Sequence, residues 1–458
     1  MADNTADNTA GETAGDAEEI VAEIVMAEKH ERDEQEEREE REEGAEREEG
    51  AEREEGAERE EGAEREEGAE RRRRLAAWRA SDRVLWRGSA DGRIGERLAA
   101  LAADAEALGP AVEGGSGPDG LLDEWVDVYG DGVVAELERR VAALLGFPAA
   151  AFFPTGTMAQ QVALRCWAGR TGNRTVALHP LAHPEVHERG ALGAVSGLRT
   201  VHPTRAPRLP MADELWGVGE PFGTLMLELP LRDAGFVLPS WDELVEVVEA
   251  AREVEAVVHF DGARLWECAP HFGRDLDEVA GLADSVYVSF YKSLDGLSGA
   301  VLAGPESFVD EARTWRHRYG GQLFQQYPAA LAGLVGLERE LPRLASYVAH
   351  AKTVAEALAQ GLAEGPAAVP WFRIHPEPPH THQFQVWLPY GDDLLNEASV
   401  RQAEETGVTL FRRWSPAGHG GPPGVSLTEV TVAAPGLSWT GEDVRVAVAD
   451  FLTRVRSL

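Results

Sequence analysis

Lys292 is one of three lysines, with Lys29 and Lys352, in a chain whose other 41 basic side chains are arginine. An amine that can lose its proton can form an imine with a carbonyl; a guanidinium cannot. Lys292 follows the apolar run Ser285 to Phe290 and precedes Ser298-Gly299-Ala300-Val301-Leu302-Ala303-Gly304, a poor place for a merely solubilising charge. Upstream, the run Ala256-Val257-Val258-His259-Phe260 ends on Asp261, followed by Gly262-Ala263-Arg264. A carboxylate at a strand end can keep a pyridine nitrogen protonated, so that the ring accepts carbanion electrons. Lys292 lies 31 residues after Asp261, room for one helix and a returning strand that would set the two side chains on neighbouring strand ends. The third piece, Phe152-Phe153-Pro154-Thr155-Gly156-Thr157-Met158-Ala159, reads as strand, tight turn and helix. There Gly156 and Thr157 would offer backbone N–H groups and a hydroxyl at a helix N-terminus, an anion site suited to phosphate. Each piece alone also fits a plain structural role: a lysine reaching solvent, a capping aspartate, a capping turn. Together they form a phosphate cup, a pyridinium carboxylate and an imine-forming lysine. That set points to pyridoxal phosphate (PLP) held on Lys292 as a Schiff base, and to an amino acid substrate.

These groups meet only if the chain delivers them from adjacent strand ends. Helix Val133–Leu145, strand Ala150–Phe153, helix Met158–Trp167 and strand Thr175–Leu178 alternate, and the runs Thr224–Glu228, Ala256–Phe260 and Ser285–Phe290 follow, separated by helical stretches such as Trp241–Arg252. Such alternation implies an α/β fold with a mainly parallel sheet covered on both faces. After Tyr327 come longer helices, Ala329–Leu341 and Leu344–Leu362. Then follow strand-like Gln383–Leu388, a helix near Asp393–Glu405, strands near Val408–Phe411 and Val430–Ala433, and a last helix capped by Thr440. The expected domains are an acidic tail, 1–74; an N-terminal segment with the large PLP-binding α/β domain, 75–340; and a smaller C-terminal α+β domain, 341–458. Ligands would bind in the cleft between the last two.

Composition narrows the function. With 43% hydrophobic residues the chain can bury a large core. Its formal charge is -36, and residues 1–74 hold 30 acidic against 12 basic side chains, half of the imbalance. That balance disfavours nucleic acid and anionic membrane surfaces. No run approaches the roughly 18 apolar residues of a membrane span, and the acidic N-terminus is unlike a signal peptide, so a cytoplasmic protein is expected. Cys166 and Cys268 are too few for a disulfide framework and lack zinc-site spacing. His375, His380 and His382 lie in a proline-stiffened loop, and no metal is expected. Residues Glu46 to Ala69 repeat EREEGA, followed by Arg71 to Arg74. With a glycine every sixth residue and little to bury, this tail is expected to be disordered or a fraying helix.

The segments FFPTGTMAQQVALR, HFDGARLWE and SVYVSFYKSLDGLSGAVLAG resemble those of the threonine aldolase and aromatic amino acid beta-eliminating lyase family, PLP enzymes of the aspartate-aminotransferase-like fold. DVYGDGVVAELERRVAALLG, LAHPEVHERGAL and WRHRYGGQLFQQYPAALAGL add to the likeness, which covers about residues 120–340 well and the C-terminal lobe loosely. The resemblance implies that Gly156 and Thr157 hold the phosphate, His183 stacks on the pyridine ring, and Asp261 pairs with its nitrogen. It also implies that Arg264 contacts the phenolic oxygen or the substrate carboxylate, and that Lys292 forms the Schiff base. A homodimer or homotetramer follows too, with Tyr129 reaching a neighbour's site.

The chain departs from the family around the substrate. Where the family reads E-N-x-H-N-x-G, Glu228-Leu229-Pro230-Leu231-Arg232-Asp233-Ala234-Gly235 lacks a histidine linked to the β-hydroxyl. G-G-G-M-R-Q becomes Gly320-Gly321-Gln322-Leu323-Phe324-Gln325, and R-S-D-T-x-T is reduced to Arg87-Gly88-Ser89-Ala90. A carboxylate-binding arginine has no equivalent in Leu427 to Thr431, though Arg412 or Arg413 can substitute. The expected activity is retro-aldol cleavage of a β-hydroxy-α-amino acid to glycine and an aldehyde, with Lys292 and His183 as catalytic residues. β-Elimination, racemisation, aldol condensation and a non-catalytic PLP-binding regulator are the rivals.

Overall fold

The computed structural model describes residues 22, 25–32, 35, 38, 68–88, 91–108, 121–364, 368–417 and 422–458. The reading of the tail as disordered, and the loop Glu113 to Gly120, fall mostly or wholly outside them. The chain separates into two units, Met1–Leu75 and Ala76–Leu458. In the first, residues 25–32 and 68–75 are helical.

The second unit is built on a seven-stranded sheet of β1 (Ala149–Phe153), β2 (Thr175–Ala177), β3 (Arg199–Val201), β4 (Thr224–Glu228), β5 (Val257–Gly262), β6 (Ser285–Ser289) and β7 (Ala300–Gly304), in the order β1-β7-β6-β5-β4-β2-β3. All are parallel except β7, which runs against both neighbours. β4, β6 and β7 are buried along their whole length, as continuous apolar runs covered on both faces must be. Helices packed on the sheet include α1 (Gly132–Leu144), α2 (Gly156–Thr171) and α3 (Trp241–Glu253), and α4 (Tyr327–Arg339) packs on α1. α2 starts where the Thr155 hydroxyl accepts the Met158 N–H at 3.2 Å, and it stops at Gly172, whose φ of 69° suits a residue without Cβ.

The C-terminal lobe carries an antiparallel sheet of β8 (Arg373–His375), β9 (Gln383–Leu388), β10 (Ser415–Pro416) and β11 (Ser426–Thr431), in the order β10-β11-β9-β8. α5 (Leu344–Ala363), α6 (Asp392–Thr406) and α7 (Gly441–Ser457) accompany it, around a core that includes Phe384, Phe411, Trp414 and Phe451. Thr440 caps α7 as expected, accepting the Asp443 N–H at 3.2 Å. Arg83–Val84 pairs in parallel with Val408–Thr409, so the segment before the large sheet is stitched to this lobe. The architecture is the expected α/β fold with a mainly parallel sheet and a smaller α+β lobe.

Candidate active site

Sheet register sets the site. Glu228 at the end of β4 sits opposite Asp261 near the end of β5, Asp261 sits opposite Tyr287 of β6, and the chain leaving β6 reaches Lys292 three residues on. A pocket of about 280 Å³ lies over these strand ends, and Gly156, Thr157, His183, Asp261 and Lys292 all line it. Five of the six residues expected from sequence are thus brought together. The sixth, Arg264, lines a second cavity of about 720 Å³, on which Lys292 and Tyr291 also open. Lys292 therefore stands at the boundary of two spaces. Burial of its amine and the positive charge of Arg264 outweigh the pull of Asp261 and lower its pKa to about 8.

Asp261 is fully buried, with Oδ1 accepting the Ala263 N–H at 3.1 Å. Burial raises its pKa, against the opposing charges of Lys292 and His183. Glu228 beside it accepts the backbone N–H of His183 at 2.7 Å and that of Arg232 at 3.2 Å. Burial and the neighbouring Asp261 carboxylate push its pKa up to about 7. Lys292 opposes both buried carboxylates, and a protonated pyridine in the pocket would add a second positive partner beside Asp261. At the opposite wall a Cβ on Gly156 would collide with the Tyr287 hydroxyl, so glycine there lets the start of α2 and the Tyr287 side chain of β6 approach each other closely. These residues fit PLP.

His183 is oriented by a chain of side chains. Its Nδ1 lies 3.1 Å from Glu188 Oε1, Glu188 Oε2 accepts from Gln161 Nε2 at 3.2 Å, and Gln161 Oε1 accepts from the Ser196 hydroxyl at 2.7 Å. A carboxylate only accepts, so Nδ1 carries the proton and Nε2 is left for chemistry. The Glu188 bond raises the His183 pKa, overcoming its burial.

On the other side of Lys292, the Arg264 guanidinium lies 5.4 Å from the Phe236 ring centroid, and its buried Nε has no acceptor among the described residues. Leu231, where the family places histidine, is buried in the core, while Arg232 next to it faces the cavity and pairs with Glu429 at 2.9 Å. Of the two candidate carboxylate binders, Arg412 is taken by Asp91 at 2.7 Å and lies 4.9 Å from the ring centroids of both Trp78 and Trp86; Arg413 is exposed at the cavity. Below them Glu267 and His382, both buried, form an ion pair of 2.9 Å, and Ser293, next to Lys292, donates its hydroxyl to the same carboxylate oxygen. His375 and His380 are engaged elsewhere, with the Ala234 carbonyl and the Leu238 N–H. Nothing in the residue pattern alone marks Glu188, Glu228, Glu267 or His382 for these roles. The one available signal was their place in segments already tied to the site: Glu188 closely follows His183, and Glu267 follows Arg264.

Known proteins resemble this chain in sequence and in fold. Low-specificity L-threonine aldolase 1 of Arabidopsis thaliana is 28% identical over 299 residues, 62% of this chain and 80% of that protein. The low specificity L-threonine aldolase of Escherichia coli K12 is 32% identical over 247 residues, 52% of this chain and 73% of that one. Among solved structures, a Listeria monocytogenes protein provisionally assigned as an L-allo-threonine aldolase superposes with a TM-score of 0.72 at 30% identity, over 84% of this chain and 99% of that one. A PLP-bound SPT structure, at 19% identity and a TM-score of 0.53, shares the fold. The Beta-eliminating lyase family model matches residues 124–369, more than half of the sequence, and the chain belongs to that family.

Proposed function

We propose that the protein is a PLP-dependent lyase of the threonine aldolase type, breaking the Cα–Cβ bond of a β-hydroxy-α-amino acid to give glycine and an aldehyde. The observation that carries this reading is Lys292: a partly neutral amine, with its pKa lowered to about 8, between a pocket suited to the cofactor and a cavity suited to substrate. PLP, when bound, supplies a protonated pyridine that accepts the electron pair released at the substrate α-carbon. Asp261 would hold the proton on the ring nitrogen, and Gly156 and Thr157 would hold the phosphate at the start of α2. His183 would lie over the ring. Breaking Cα–Cβ requires the β-hydroxyl proton to leave, and His183 Nε2 is the acceptor we assign, since Leu231 occupies the position of the family histidine. Arg264 would receive the substrate carboxylate.

Purified protein incubated with a panel of β-hydroxy and β-substituted amino acids should release an aldehyde and glycine. Release of a keto acid instead would favour β-elimination, the second reading, supported by the name of the family model. Turnover of nothing in the panel would sink both.

The same reading makes the enzyme a homodimer or homotetramer. Its support is an exposed apolar surface: Trp125, 90% exposed, with Leu122, Val126, Val128, Tyr129, Leu323 and Phe324. The Tyr129 N–H donates to the Phe324 carbonyl at 2.9 Å, joining the two segments, and a patch of this kind marks an interface. A cytoplasmic setting is proposed because Cys166 and Cys268 are both free, buried thiols. No described helix is long and apolar enough to cross a membrane.

A further inference from the structure

The cavity on the substrate side of Lys292 carries a charge opposite to that of the molecule. The chain's formal charge is -36, yet six arginines and Lys292 line this space against Asp295, Glu340 and Glu429. Three of the arginines are neutralised. Arg232 lies 2.9 Å from Glu429, Arg412 lies 2.7 Å from Asp91, and Arg339 lies 2.9 Å from Glu340 and 3.3 Å from Asp295. The other three, Arg87, Arg264 and Arg413, have no carboxylate within ion-pair distance among the described residues. Arg87 donates to the Ser81 carbonyl at 2.7 Å, which satisfies a donor but leaves the charge.

One α-carboxylate can neutralise one of these groups. Arg264 is the one for that task, since its charge reaches the Lys292 amine and its buried Nε lacks an acceptor. Arg87 and Arg413 remain, both exposed at the cavity and without a carboxylate in ion-pair distance among the described residues. The space itself, about 720 Å³ and open to solvent on one side, has room for a side chain much larger than that of a four-carbon amino acid. Trp78 and Trp86 form part of its wall, and Arg412 between them is already spent on Asp91.

We propose that the preferred substrate has a large β-substituent ending in an anionic group, a carboxylate or a phosphate, which Arg413 and Arg87 receive while Arg264 holds the α-carboxylate. This deepens the aldolase reading and rests on it for the identity of the reacting end. Guanidinium groups bind planar carboxylates and phosphates in charge-assisted pairs, so binding discriminates against a neutral group of equal size.

The test is equilibrium binding to the holoenzyme by calorimetry, with phenylalanine, 4-carboxyphenylalanine and 4-phosphonophenylalanine, which share one frame and lack the β-hydroxyl. At low salt at least one anionic probe should bind about tenfold or more tightly than phenylalanine, the size of one charged hydrogen-bond pair. The advantage should shrink in Arg413→Gln and further in Arg87→Gln/Arg413→Gln, and in the wild-type enzyme it should fall as salt rises. Carboxylate preferred over phosphonate, or the reverse, identifies the terminal group. Equal or weaker binding of both anionic probes, or an advantage that neither salt nor the variants alter, overturns the proposal. Turnover is read separately on threonine, phenylserine and 4-carboxy- and 4-phosphonophenylserine: no aldehyde from any of them would sink the aldolase reading, while the binding ratios still decide the anion site.

Discussion

Lys292 meets two demands that pull in opposite directions. The amine must be neutral to attack a carbonyl, yet it must sit among carboxylates that favour its charge. Burial and Arg264 outweigh Asp261, and the pKa falls to about 8. Lys292→Ala is expected to give a colourless protein that borohydride cannot label with cofactor and that has lost turnover; a yellow, active variant would contradict the assignment. His183 gives a pH prediction. The Glu188 bond raises its pKa, and as a base it works only when neutral, so kcat/KM should rise with pH through a value above the ordinary 6.5 of histidine. Glu188→Gln should move that inflection to lower pH and cut the plateau by about 10-fold or more, whereas a purely structural role for Glu188 would leave the inflection in place. Gly156→Ala should weaken PLP retention on dialysis, because the new methyl displaces the Tyr287 hydroxyl. Lys292, Asp261 and the Gly156 turn were legible in the sequence because each needs one residue type beside a recognisable strand or helix end. Glu188 and Glu228 were not, because their roles depend on neighbours 45 residues away, as with Glu228 and the His183 N–H, or on which way a short loop folds back.

At the scale of elements, the Glu267–His382 pair joins the two lobes. Glu267 belongs to the turn after β5, His382 immediately precedes β9, and the His382 Nδ1 lies 2.7 Å from the Val432 carbonyl. Both ring nitrogens face acceptors, so the ring is held as an imidazolium. Burial lowers the His382 pKa, but Glu267 overcomes it and the net shift is upward; for Glu267, burial raises the pKa and His382 brings the net shift below the ordinary value. The raised histidine contributes stability that is full below its unfolded pKa of about 6.5 and lost as pH climbs through the folded value; the depressed glutamate contributes above about 4.5 and loses it as pH falls. The pair should therefore stabilise most between about pH 4.5 and 6.5. Thermal melts of wild type and His382→Gln against pH should differ most in that window, by about 3–5 kcal/mol for a buried charge left alone; a difference flat in pH would refute the ion-pair account. The strands Thr224–Glu228 and Gln383–Leu388 matched their apolar runs end to end. The strand expected at Val430–Ala433 instead spans Ser426–Thr431, because pairing with β9 sets its register and the chain after it leads into a 3₁₀ turn, Ala434–Ser438. Nothing in composition revealed that β7 runs against its neighbours: Ala300–Gly304 is as apolar as the parallel strands, and direction is fixed by the short connection from β6. β3 and β8 each open on an arginine and present no apolar run to read, unlike the equally short β2.

For the whole molecule, the apolar surface around Trp125 makes assembly testable. Trp125→Asp is expected to shift the mass measured by light scattering toward the monomer; an unchanged mass would place the interface elsewhere. Lobe order was readable from the change from alternating strands and helices to longer helices near Tyr327, but the stitching of Arg83–Val84 to Val408–Thr409 was not, since two-residue pairings over more than 300 residues leave no local pattern. The scarcity of lysine has a practical reach. Lys29 and Lys352 are exposed, whereas Lys292 stands in the wall of the pocket proposed for the cofactor. An amine-directed acylating reagent should then tag two side chains, beside any free α-amine, in the loaded enzyme, and one side chain more once the cofactor is stripped away. Counting those tags by intact mass turns the chain into its own gauge of how many of its active sites are filled.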